Sequence, residues 1–377
     1  MKHVLIFKFP YASQLGGGEM HTLDLVEGLS KLGYSFTLVS TCRVLLREFK
    51  HRHWPSRRIW AMPEPVAKWS LVLFPFLAIP MWLVLIGNMI YYRIRRRTRI
   101  VYCLSLTEKI LATIPARLLG MRVVWLEHVG FKRWLSLNPL KVFYKWSTRW
   151  ATIVVISQAL KQQLIHLGIP AERIQVIYNG FEFQAFERVR TPYRPPTTER
   201  FIVGTVCRLE KEKGVEYLLL AAAKILPLIP QLRILVVGDG TERKRLEWLA
   251  KNLNLDGHTQ FVGYQDRPAD WIRDFDVYVL PSVGRESFGR TLVEALALDR
   301  PVVASEIEGT SEIVKQMETG LLVKPGDSEE LAQAILYYYQ HPEAAGRLAM
   351  SGREYVTQQF SLEQMLGNFY QLFEKLT

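Results

Sequence analysis

The stretch PSVGRESFGRTLVEALALDRPVV, from Pro281 to Val303, decides how this chain folds, because it holds two glutamates, Glu286 and Glu294, with seven residues between them. On one continuous helix, positions eight apart lie about 80° round and about 12 Å along the axis, too far to share one small ligand group. They converge only if a helix begins between them. The composition provides that start: VYVLPS (277–282) reads as a buried strand closing in a Pro-Ser turn, GRESFG (284–289) as a loop and TLVEALAL (291–298) as a helix. Glu286 then lies on the loop and Glu294 in the second turn, beside backbone N–H groups around Phe288, Gly289 and Arg290 that suit a phosphate. The plain alternative makes Glu286 a turn residue and Glu294 a surface charge. Against it, Leu292, Val293, Ala295, Leu296, Ala297 and Leu298 are apolar on every side of Glu294, and a carboxylate in a buried helix needs a partner.

Outward from this stretch the same strand and helix alternation recurs. TPYRPPTTER (191–200) is a composition break and reads as a linker. Beyond it, Phe201 to Cys207 is a strand, Val215 to Leu226 a helix, Leu232 to Val237 a strand ending in Gly238-Asp239-Gly240, and Arg243 to Asn252 a helix. Strands follow at 259–262 and 276–280, and 363–376 has the pattern of an amphipathic helix. Before the linker, an apolar run at 3–9 leads through Gly16-Gly17-Gly18 into a helical pattern from Glu19 to Leu32 and a strand from Tyr34 to Thr41. A glycine-rich turn after the first strand is where open parallel sheets bind ligands, although glycines also serve as plain turn residues. Residues 42–68 show no periodicity and read as a long loop; 109–120 is a helix, and Arg122 to Leu126 a strand ending at His128. A histidine there is placed to hold a reacting group, or else is a satisfied structural residue. Ala151 to Ile156 and Ile174 to Tyr178 are further strands, with Ser157 as a helix cap. The pattern predicts an α/β protein of two doubly wound, Rossmann-like domains.

With 377 residues the chain is long enough for two such cores. Its net charge of +12 is uneven: residues 1–190 carry 27 Lys and Arg against 10 Asp and Glu, or +17, and the remainder carries −5. A basic half suits nucleic acid, an anionic membrane or an acidic substrate. Cys42, Cys103 and Cys207 are widely spaced and suggest neither a disulfide framework nor a zinc site. The opening MKHVLIFKFPYASQLGGGE lacks the long apolar region and cleavage site of a signal peptide, which reads as cytoplasmic.

Residues 69–92 carry no formal charge and run into RIRRRTR (93–99). Such a segment fits a bilayer span, a helix or hairpin dipping into one leaflet with its arginines on anionic headgroups, or a buried helix of the first domain. Pro75, Pro80 and the strand expected at 99–104 speak against a span. FKRWLSLNPLKVFYKWSTRW (131–150) interleaves aromatic and basic residues, as single-strand stacking, a membrane-surface helix or snorkelling side chains would.

Taken together, GTVCRLEKEKG (204–214), VVGDGTERKRLE (236–247), FVGY (261–264), the stretch at 276–305 and TGLLVKPGD (319–327) resemble, in this order, the glycosyltransferases of family 4, which have the GT-B fold. In the first half GGGEMHTLDLVEGLSKLGY (16–34), VVWLEHVG (123–130) and VIYNG (176–180) are similar too. The resemblance implies a retaining hexosyltransferase that takes sugar from a nucleotide-sugar donor in the cleft between its domains. It implies an acceptor-side domain at 1–190, within which lies the membrane-associating segment expected at 69–99 from its own composition, a donor domain at 191–360, and a C-terminal helix at 361–377 packing back on the first domain. Glu286 and His128 would face the sugar, Glu294 the ribose, and Arg208 and Lys213 the diphosphate, with Phe288 and Gly289 adding backbone N–H groups and Gly17 and Gly18 approaching from the first domain. Gly263 and Tyr264 would line the base. A cationic pair with a helix N-terminus can hold a leaving diphosphate without metal, and Asp274 and Asp276 match no metal site of the family, so neither metal nor cofactor is expected. The expected partners are a lipid-linked or glycan acceptor and the anionic inner face of the cell membrane, not nucleic acid. Asp299 departs from the family's glycine at a position that takes the αL conformation, and Arg290 from a small or apolar residue.

Overall fold

A computed structural model describes residues 2–9, 16–60, 68–128, 138–196, 199–284 and 286–377. Residues 131–137 of the aromatic and basic stretch lie outside these. The chain divides into two compact units, one made of Met1–Gly180 with Leu362–Thr377 and the other of Phe181–Ser361. The boundary therefore precedes the one expected at 190/191. Residues 181–190 go with the second unit because Arg190 pairs with Asp299 at 2.6 Å and Glu187 with Arg353.

In the first unit β1 (Lys2–Lys8), α1 (Gly17–Lys31), β2 (Tyr34–Ser40), α2 (Arg43–His51), β3 (Ser56–Arg58) and α3 (Lys68–Arg96) lead to β4 (Ile100–Cys103), α4 (Leu106–Leu118) and β5 (Arg122–Glu127). After α5 (Lys141–Ser147) come β6 (Ala151–Val155), α6 (Gln158–His166) and β7 (Ile174–Val176). The sheet is parallel in the order β3-β2-β1-β4-β5-β6-β7, so its direction of winding reverses between β1 and β4. Its central strands are apolar along their middles because both faces are covered, and Val4, Leu5, Ile6 and Phe7 of β1 have no exposure, whereas the edge strand β3, Ser-Arg-Arg, is exposed.

Residues 42–68 hold α2 and β3 rather than a plain loop. In α2 Leu45 and Phe49, four apart, are buried, and Trp54 packs edge-on to Phe49 at 5.2 Å. The uncharged segment forms the single helix α3. At 100° per residue its side chains fall into two opposed stripes. Phe74, Met81, Leu85, Asn88 and Met89 are buried, whereas Phe76, Ile79, Leu83, Ile90 and Ile94 are exposed. From Phe76 to Arg96 the helix is long and apolar enough to cross a membrane, and only 28% of its most apolar stretch is buried.

The second unit contains α7 (Phe183–Glu187), β8 (Phe201–Val206), α8 (Val215–Ile225), β9 (Leu232–Val237), α9 (Arg243–Asn252), β10 (Thr259–Gly263), α10 (Ala269–Ile272) and β11 (Val277–Leu280). Next come α11 (Arg290–Ala297), β12 (Val302–Ser305), β13 (Leu321–Val323), α12 (Ser328–Gln340) and α13 (Pro342–Gln359); the last helix, α14 (Leu362–Leu376), belongs to the first unit. The sheet is parallel in the order β10-β9-β8-β11-β12-β13, with its reversal between β8 and β11, where Val203 and Gly204 pair with Val277 and Tyr278. Loops leaving the carboxyl ends of strands on either side of such a reversal splay apart and leave a ligand-sized crevice.

Candidate active site

Two loops flank that crevice in the second unit. One runs from β8 through Arg208 to a short 3-10 turn at Lys211–Lys213; the other runs from β11 to α11. They interlock through backbone, Val283 N–H and Gly284 N–H both donating to Glu212 O at 2.9 and 3.0 Å. Gly214 closes the first loop at φ 63°, and a β-carbon there would meet Pro281 O at 2.1 Å, so the close approach requires glycine.

The interlock brings Lys213 Nζ within 2.5 Å of Glu286 Oε2, each side chain 14% exposed. The hydroxyl of Ser282 lies 3.4 Å from the same carboxylate oxygen. A third glycine buttresses Glu286 from below: a β-carbon on Gly309 would lie 1.9 Å from Glu286 O. Arg208 stands exposed at the rim and pairs with Glu212 at 3.3 Å. Cys207 beside it is partly buried, and desolvation pushes its thiol up to about 11, which disfavours the thiolate.

Gly289 is the residue before α11, and Phe288 is buried in the loop ahead of it. Of the N–H groups expected to face a phosphate, that of Arg290 turns inward instead and donates to Phe288 O at 2.8 Å. Phe288 stacks on Phe181 at 6.3 Å and meets Phe360 edge-on at 5.2 Å, an apolar floor that fixes the loop. Glu294 is buried on α11. Burial raises its carboxyl pKa, and Arg290, whose Nε lies 3.4 Å from Oε1, opposes that rise. Asp299 just past the helix has φ 57°, the αL conformation the sequence expected there. Asp276 accepts the Ile202 N–H at 2.7 Å, a structural role.

Gly263 and Tyr264 lie at the carboxyl end of β10, where Gly263 has φ 87° and its carbonyl accepts the Gly238 N–H at 2.8 Å. Tyr264 is exposed.

In the first unit Gly17 and Gly18 are the opening residues of α1, on the loop after β1 and so beside that sheet's own reversal. Lys8 at the end of β1 pairs with Glu19 at 2.5 Å, and Glu19 Oε2 accepts the Gly16 N–H at 3.3 Å, which ties the glycine turn to the strand. His128 follows β5, its Cδ2 3.4 Å from where a β-carbon of Gly18 would stand. The His21 ring meets the His128 ring edge-on at 4.8 Å and is bonded through Nδ1 to Asn179 Oδ1 at 3.0 Å. Next to His128, Glu127 is held by Lys109 at 2.7 Å and by the Tyr144 hydroxyl at 2.7 Å. Sequence reading singled out neither His21 nor Phe181, because a buried ring on a helix and a phenylalanine near a unit boundary have no distinctive spacing.

Solved structures of similar fold include Anabaena HepE in complex with UDP, at TM-score 0.83, 22% identity and full coverage of both chains. A glycosyltransferase from Rickettsia africae is similar at TM-score 0.84 and 22% identity, covering 100% of this chain and 98% of its own. The fold is GT-B, that of a large class of glycosyltransferases. Residues 15–184 match the sequence family Glycosyltransferase Family 4, and residues 189–355 match Glycosyl transferases group 1. Among relatives, the capsular polysaccharide biosynthesis glycosyltransferase CapM of Staphylococcus aureus is 27% identical over 279 residues, 69% of this chain and 71% of CapM. The N-acetyl-alpha-D-glucosaminyl L-malate synthase of Bacillus anthracis is 26% identical over 226 residues, 59% of this chain and 58% of that enzyme. The chain is a glycosyltransferase and belongs to glycosyltransferase family 4.

Proposed function

We propose that the protein transfers a sugar, with retention of configuration and without a metal ion, from a nucleotide diphosphate donor to a lipid-linked acceptor at the cytoplasmic face of the cell membrane, in the synthesis of a cell-surface glycan. The observation that carries the donor half is the Lys213–Glu286 contact of 2.5 Å at the reversal of the second sheet. It sets a cation for a leaving diphosphate against a carboxylate for the sugar. Arg208 adds charge at the rim, Phe288 and Gly289 offer backbone N–H groups, Glu294 takes the ribose, and Gly263 and Tyr264 border the base. His128 is assigned to the sugar, and Gly17 and Gly18 to the phosphates. The HepE structures hold UDP and, in one case, UDP-glucose, which favours a nucleotide sugar here as well.

The acceptor half rests on α3 and α5. Both pack on α4, and they expose Phe76, Ile79, Leu83, Ile90 and Ile94 on one and Val142, Phe143 and Trp146 on the other. Arg93, Arg95, Arg96, Arg97 and Arg99 close the apolar stripe of α3 with positive charge, the complement of an anionic phospholipid surface. Relatives named for capsule and lipopolysaccharide core synthesis agree with a glycan product.

The test is a screen of nucleotide sugars for thermal stabilisation and for hydrolysis, with and without EDTA. At least one should raise Tm and be turned over equally in EDTA, Glu294→Ala should weaken binding, and Glu286→Ala should mainly slow turnover. Activity lost in EDTA and restored by manganese would overturn the metal-free mechanism. Full activity in both variants would overturn the site.

A further inference from the structure

Arg290 opens α11 one turn ahead of Glu294, and its guanidinium touches two fixed neighbours. Nε lies 3.4 Å from Glu294 Oε1, and the guanidinium carbon lies 4.4 Å from the centre of the Phe181 ring. Phe181 is itself held, since its N–H donates to Phe360 O at 2.9 Å and its ring stacks on Phe288 at 6.3 Å. A flat aromatic face restricts a planar guanidinium far more than it restricts a flexible ammonium. Two buried atoms of the pair, Glu294 Oε2 and Arg290 Nη1, have no hydrogen-bond partner among the described residues. A buried carboxylate oxygen without a donor is costly, and the cost is recovered when a ligand supplies one. Arg290 thus engages one carboxylate oxygen and leaves the other as an acceptor.

We propose that Arg290 is a positioning residue of the nucleoside site: clamped on the Phe181 ring, it holds Glu294 by Oε1 so that Oε2 accepts from the ribose hydroxyls of the donor. This rests on the assignment of Glu294 to the ribose. Arg290 itself makes no contact with substrate. A purely structural role would change stability alone, whereas positioning changes how the protein tells a ribose from a deoxyribose.

The experiment is calorimetric titration of UDP, GDP and ADP, then of the 2′-deoxy form of whichever binds most tightly, with inorganic pyrophosphate as a probe of the phosphate groups alone. In the unmodified protein removal of the 2′-hydroxyl should weaken binding about tenfold, the worth of one charge-assisted hydrogen bond. Arg290→Met should bind the ribo and deoxy forms nearly equally while keeping its pyrophosphate affinity. Arg290→Lys, the milder change if the methionine variant does not fold, should cut the penalty to about threefold or less on the same scale. A full tenfold penalty in either variant overturns the proposal. So does a parallel loss of pyrophosphate binding, which would make Arg290 a phosphate ligand. Glu294→Gln separates the two levels: if it binds as the unmodified protein does, with no deoxy penalty in either, the ribose assignment has failed. If the penalty vanishes in Glu294→Gln but persists in Arg290→Met, only the role of Arg290 has failed.

Discussion

Glu108 and His3 are buried titratable groups whose effects on stability run in opposite directions. Glu108 has no exposure; its Oε1 accepts the N–H groups of Leu104 at 3.2 Å and Ser105 at 2.5 Å. Burial pushes its carboxyl up from 4.5 to about 7, opposed by the backbone N–H groups of Glu108 and Ser105, by Lys109 and by the Ser105 hydroxyl. Between those values the folded chain binds a proton that the unfolded chain has released, so stability falls as pH rises, by about 3 kcal/mol across the window. His3, wedged between the hydroxyls of Thr98 and Thr37 at 2.6 and 2.9 Å, is lowered by burial from 6.5 to about 4. Its contribution is lost as pH falls through that range, which masks the slope of Glu108. A glutamine in place of Glu108 can still accept the two N–H bonds through its amide oxygen. Urea titrations of Glu108→Gln and the unmodified protein should therefore show a difference in unfolding free energy that shifts by about 3 kcal/mol in favour of the variant between pH 4.5 and 7.5. A constant difference would mean that Glu108 is ionised in the folded state. In the candidate donor site Glu286 and Glu294 were legible in the sequence as a pair that a helix start between them brings together, and Lys213 as a match to the family motif. Gly309 and Phe181 were not, since each acts through a contact with a residue far along the chain.

At the scale of the element, the strand, loop and helix around Glu286 appear where the sequence put them, because VYVL and TLVEALA are long apolar runs with a turn between them. The element that was missed, α2, is short, and its charged residues break up the apolar pattern; only the burial of Leu45 and Phe49 reveals its inward face. In α3 the sequence left three readings open because a helix apolar on all sides looks the same whether its second face meets protein or lipid. The interlock of the two loops gives a sharper expectation. Gly214→Ala forces a β-carbon into a positive φ and against Pro281 O, and should destabilise the protein by roughly 3 kcal/mol while weakening nucleotide binding through displacement of Lys213. Equilibrium unfolding and titration with the preferred nucleotide measure both. A change within about 0.5 kcal/mol, the range of an ordinary surface substitution, would show that the loop can rearrange without cost.

Over the whole molecule, charge divides as +17 for residues 1–190 and −5 for the rest, and the exposed apolar stripes of α3 and α5 both belong to the positive half. Flotation with vesicles containing about a third anionic phospholipid should carry the protein upward at low salt and progressively less as screening increases. Replacing Arg93, Arg95 and Arg96 with serine should remove most of that binding, and flotation that ignores both salt and the arginines would leave the charge without a role. The grouping of α14 with the first unit has a separate consequence, for biosynthesis. Phe369 of α14 packs edge-on to His21 at 5.5 Å, and Leu366 fills the space above Gly28. The ribosome delivers α14 after every residue of the second unit. The surface of α1 that carries His21 thus waits uncovered through the synthesis of the entire second unit, and the first unit to emerge is the last to be finished.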